Sequence, residues 1–153
     1  MACPMTRLAP AAALIALVAH GPVCAADLIT KITHEQVLQH VAEGRKLVFV
    51  DSREPDEWAE ERLPGAIKLP LRDAVSPSAL QSVPTDATLV AYCIKDFRGY
   101  EVARALRRAG YRVHVMDDPG LQGWKKARLP TAGDVPKRSD EQAAQALQAR
   151  AKR

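Results

Sequence analysis

Leu47, Val48, Phe49 and Val50 follow one another without a polar residue between them, and Leu89, Val90 and Ala91 do the same inside the run from Thr88 to Tyr92. Strands so uniformly apolar bury both faces, so the sheet they form needs a cover on each side. The covers are legible between the runs. Thr33 and Gln36 carry capping-box spacing ahead of Val37, Leu38 and Val41, with Gly44 to end the helix. Val102, Ala103, Leu106 and Ala109 share a second helical face, with Glu101, Arg104, Arg107 and Arg108 on the wet sides and Gly110 as the stop. Strands alternating with helices at this spacing predict an α/β fold, an open parallel sheet with helices on both faces.

The remaining punctuation fits that layout. Leu28, Ile29, Thr30 and Ile32 read as a first strand, and Asp51 falls at the C-terminal end of the second, where open α/β sheets place working residues. Glu54, Pro55, Asp56 and Glu57 open a short helix, with proline in the first turn and acids matching the helix dipole. Trp58 is expected as its core anchor and Trp124 as that of a last helix over 120–127. Pro64 and Gly65 turn the chain into a short strand at 66–69, and another strand is expected over 111–116. Residues 72–86 read as loop with a short helix near 78–81. His34 and His40 are expected on a helix surface. His114 alternates with Val113 and Val115 and has no partner ligand at a recognisable spacing, so no metal is expected.

The ends differ in composition from the middle. Arg7, the apolar stretch 8–19 and the small residues around Cys24, Ala25 and Ala26 have the layout of a secretory signal over residues 1–26. That predicts an exported, periplasmic protein, and an apolar core too short for stable membrane insertion. Residues 27–130 form the expected domain, and 131–153 a polar C-terminal tail or marginal helix with few residues to bury. Cleavage removes Cys3 and Cys24 and leaves Cys93 as the lone thiol, so no internal disulfide is available. The formal charge of +4 comes from mixed charges without a long basic block, which predicts solubility and mild attraction for anions, with no nucleic-acid binding.

Cys93 is the residue that predicts chemistry. It follows an apolar strand and precedes a helix start at Arg98, Gly99 and Tyr100, so its sulfur is expected among backbone N–H groups pointing inward. The dipole and unpaired donors of a helix start favour thiolate over thiol.

Several motifs occur together and in order. They are Asp51-Ser52-Arg53-Glu54-Pro55-Asp56-Glu57-Trp58, then Leu63-Pro64-Gly65-Ala66-Ile67, then the loop from Cys93 to Arg98, then Gly120-Leu121-Gln122-Gly123-Trp124. With them the chain resembles a single-domain rhodanese-like (sulfurtransferase) protein over about residues 29–130. The resemblance implies the same α/β fold and a Cys93 persulfide that moves sulfane sulfur from thiosulfate or a persulfide donor to a thiol or cyanide acceptor, without a cofactor. It also implies that Ile94, Lys95, Asp96, Phe97, Arg98 and Gly99 cradle the sulfur mainly through their backbone, and that Asp51 and Arg53 brace the loop from below.

Alternatives remain open at this point: a non-catalytic binding module of the same fold, or a thiol-redox protein working through an exposed cysteine. Four residues separate Cys93 from Arg98, one fewer than in cysteine-dependent phosphatases, and the smaller ring suits sulfur better than phosphate. Arg98 is expected either to attract the anionic donor or to form an ion pair at the helix start, and Lys95 to face solvent at the pocket mouth. Asp96 stands where many active relatives have glycine, and Arg62 where they often have histidine. An inward carboxylate at Asp96 would oppose ionisation of the thiol. A monomer is expected.

Overall fold

The computed structural model describes residues 28–153 except Asp96 and Asp118, so the expected signal at 1–26 lies outside the described residues. Five strands form one sheet: β1 (Thr30–Ile32), β2 (Leu47–Asp51), β3 (Ile67–Lys68), β4 (Thr88–Tyr92) and β5 (Val113–Met116). Their order is β1-β5-β4-β2-β3 and every pairing is parallel. The apolar run β4 is the central strand. It pairs with β2 along its whole length, from Leu47 opposite Thr88 to Asp51 opposite Tyr92.

The sheet is covered on both sides, as its doubly apolar strands require. On one side Phe49, Val90, Tyr92 and Met116 pack with Val37 of α1 (His34–Ala42) and with Leu121 and Trp124 of α5 (Gly120–Lys126). On the other, Val50, Leu89, Ala91, Val113 and Val115 meet Val102, Ala103 and Leu106 of α4 (Phe97–Arg108). The shorter α2 (Pro55–Glu60) and α3 (Pro77–Leu80) lie in the connections flanking β3. Thr33 closes the expected capping box on α1 with Gln36, their two bonds measuring 3.2 and 2.9 Å.

Two expectations need correction. His34 is not a surface residue: it is buried, with its ring edge-on to Trp124 at 5.4 Å, because the start of α1 packs against α5; His40 is half-buried. Trp58 is not a core anchor, since α2 buries none of its residues. Its indole N–H donates to the Ala66 carbonyl at 2.8 Å, and the Arg62 guanidinium lies 4.1 Å over its ring.

Residues beyond 131 add a small hairpin, β6 (Gly133–Asp134) with β7 (Lys137–Arg138), and then α6 (Asp140–Ala151). Ser139 caps α6 in a capping box with Gln142. Although most of its surface is polar, Ala143 and Leu147 are buried and Leu147 joins the core on the α1 side. Asp140 ties its start to the domain, accepting from Arg62 Nη2 at 2.6 Å and from the Gly65 N–H at 2.8 Å.

Candidate active site

Cys93 is the first residue past β4, at the C-terminal edge of the sheet, and is only 3% exposed. Two helix starts grip its backbone. The Cys93 carbonyl accepts from the Leu121 N–H at 2.8 Å and the Ile94 carbonyl from the Gln122 N–H at 3.2 Å, which fastens the loop to the first turn of α5. Gly120 makes that approach possible. It has φ +39°, and a Cβ there would lie 2.0 Å from the Cys93 oxygen and 2.7 Å from that of Lys95. Gly99, in the first turn of α4, is close-packed to a lesser degree: a Cβ would lie 3.0 Å from the Tyr92 backbone and 3.2 Å from the Cys93 nitrogen.

Arg98 stands one residue before Gly99 and makes a two-pronged ion pair with Glu57 of α2, at 2.8 and 3.1 Å. Glu57 is itself fixed by the Glu54 N–H at 3.0 Å. The hydrogen bond from Arg98 lowers the Glu57 carboxyl, and the one to Glu57 raises the Arg98 guanidinium. A smaller contribution to that rise comes from Cys93, so the Arg98 charge lies within electrostatic reach of the sulfur. Of the two roles expected for Arg98, the ion pair at the helix start is formed.

Beneath the loop runs a buried polar network. Asp51 is fully buried and Arg53 is 3% exposed, and they are joined by Arg53 Nε and Nη2 at 2.9 and 2.6 Å. The Tyr92 hydroxyl donates to Asp51 Oδ2 at 2.6 Å and accepts the Leu63 N–H at 3.1 Å, while Arg53 Nη2 reaches the Glu61 carbonyl at 2.5 Å. Burial pushes the Tyr92 phenol well above its ordinary value, and the Asp51 charge adds to it. Burial alone would depress Arg53, but its bonds to Asp51 override that and raise it. A charge pair sealed this way is costly to break from one side.

The rest of the loop faces outward. Ile94 is 36% exposed, Phe97 72% and Tyr100 40%; Lys95 is exposed, and Asp96 lies outside the described residues. A groove of about 420 Å³ runs beside Ile94 and Leu121. Three glutamates, Glu57, Glu60 and Glu61, line it against Arg53 and Lys125, so the ground beside the loop is more acidic than the net charge of +4 implies.

Residues 33–127 match the family described as Rhodanese-like domain. The chain belongs to that family. Among its relatives is the probable adenylyltransferase/sulfurtransferase MoeZ of Mycobacterium tuberculosis, 32% identical over 99 residues, which are 65% of this chain and 25% of MoeZ. This chain therefore spans a quarter of that relative. A sulfurtransferase of Allochromatium vinosum is 28% identical over 103 residues, 67% of this chain and 94% of the relative. The solved thiosulfate sulfurtransferase of Pseudomonas aeruginosa superposes with a TM-score of 0.59 at 24% identity, over 69% of this chain and 20% of that one, and so speaks for the fold. Both of these curated relatives carry sulfurtransferase in their names.

Within this rhodanese-like domain, three contributors escape a reading of the sequence. Tyr92 reads as the end of an apolar strand, but its register opposite Asp51 turns its hydroxyl into the network. Glu57 reads as a first-turn acid matching the helix dipole. Gly120 follows Pro119 at a helix start, and a glycine there was the available signal that backbone passes close by.

Proposed function

We propose that this protein is a sulfurtransferase in which Cys93 carries sulfane sulfur as a persulfide. The observation that supports it best is the seat of Cys93, one residue beyond the central strand, between the first turns of α4 and α5 and within electrostatic reach of Arg98. The thiolate attacks the outer sulfur of thiosulfate. A new S–S bond forms to Cys93, the sulfur–sulfur bond of thiosulfate breaks, and sulfite leaves with its electron pair. Cyanide or an acceptor thiolate then attacks the terminal sulfur, and the electrons of the cleaved S–S bond return to Cys93 as thiolate. Backbone N–H groups of residues 94, 95 and 97–99, at the start of α4, stabilise the anionic sulfur throughout.

Burial of Cys93 favours small donors, and it weighs against the redox alternative, which needs an exposed thiol open to mixed disulfides. The protein acts as an exported, periplasmic monomer after loss of residues 1–26, and it uses neither metal nor nucleic acid. A second reading, a partner-binding module, is favoured by the exposed Phe97, Tyr100 and Ile94 around the same loop. Thiocyanate production from thiosulfate and cyanide separates the two. Transfer that disappears in Cys93→Ala at an unchanged melting temperature upholds the enzyme; a wild-type protein without transfer favours the module.

A further inference from the structure

Arg128, Arg138, Arg150 and Arg153 converge on one groove of about 430 Å³ between the end of α5 and the outer side of α6. Six arginines elsewhere, Arg45, Arg53, Arg62, Arg72, Arg98 and Arg104, each meet a carboxylate. None of the four in the groove has a carboxylate partner among the described residues, and Arg138 reaches only the Thr131 carbonyl, at 3.4 Å. Arg150 lies in the last turn of α6 and Arg153 just past its C-cap, Lys152. The groove has an apolar side as well, lined by Leu129, Pro130 and Ala146.

The backbone of Arg128 supplies an independent observation. It has φ +55°, and no other non-glycine residue among those described has positive φ. It sits just past the end of α5, where helices ordinarily place glycine because a side chain is strained there. An arginine there forgoes the ease with which glycine adopts that conformation and places a charged side chain on the groove.

We propose that this groove binds an amphiphilic organic oxyanion, a phosphate monoester or a group of like charge on a short apolar body. Paired guanidinium forks suit the oxygens of such a head, and Leu129, Pro130 and Ala146 receive the hydrocarbon. The volume falls in the range of small-molecule sites. The site is separate from the sulfur-transfer centre, since α5 begins at the Cys93 loop and ends before Arg128.

Calorimetric titration of the purified protein with octyl phosphate, below its micelle-forming concentration, tests this. Saturable one-site binding is expected, weakened about tenfold in Arg128→Gly and in Arg150→Gln. Arg128→Gly should at the same time keep or raise the melting temperature and leave thiocyanate production unchanged. Octanol should bind far more weakly than octyl phosphate. Retention on vesicles containing phosphatidic acid would identify a membrane headgroup as the source of the anion, and octyl phosphate binding without retention a soluble ester; both uphold the site. No saturable binding, equal affinity in both variants, or equal affinity for octanol would overturn it.

Discussion

Removing the Tyr92 hydroxyl strands the buried Leu63 N–H and takes one donor from Asp51 Oδ2, which keeps its bond from Arg53. Tyr92→Phe should therefore cost about 1–3 kcal/mol of unfolding free energy in a urea titration near neutral pH. The same residue sets an alkaline limit. The folded phenol holds its proton to higher pH than the ordinary 10.0, so its contribution is intact below that value and is lost as pH rises beyond it. Tyr92→Phe should flatten the alkaline fall in stability, and an unchanged alkaline limb would contradict this assignment. Arg53→Ala leaves the Asp51 charge buried without its counter-ion, and should cost about 3–5 kcal/mol by the same measurement. Cys93, Asp51 and Arg53 could be singled out in the sequence because each stands at the end of an apolar strand. Tyr92 and Glu57 could not, because their partners lie 41 residues away and are set by register and helix placement.

Between elements, the closest fit is that of α5 against the Cys93 loop. Gly120→Ala would push a methyl group into the Cys93 carbonyl, so the loop must move or the helix must withdraw. Sulfur transfer should fall sharply while the α-helical circular dichroism signal is retained; full activity would mean that the tight contact does not position the loop. Helix α6 makes a different case. Its composition reads as a polar tail because only Ala143 and Leu147 turn inward, yet its capping box, the Arg62–Asp140 bridge and the Leu147 contact hold it to the domain. Arg62, standing where relatives often have histidine, serves this attachment. Leu147→Ala should cost about 2–5 kcal/mol, read from denaturant unfolding, whereas a free tail would lose nothing.

At the scale of the molecule, the architecture was legible because it follows from burial alone. Two doubly apolar runs required a covered parallel sheet, and glycines such as Gly44 and Gly110 marked where its helices stop. What burial cannot encode is how charge is distributed over the surface. The chain carries +4 overall, yet glutamates line the groove beside the Cys93 loop while unmatched arginines gather at the far end of α5. The central claim is the Cys93 persulfide, and intact-mass spectrometry after thiosulfate treatment reads it directly. The wild-type protein should gain one sulfur atom and lose it to cyanide, and Cys93→Ser should gain none; a wild-type mass unchanged by thiosulfate would contradict the account.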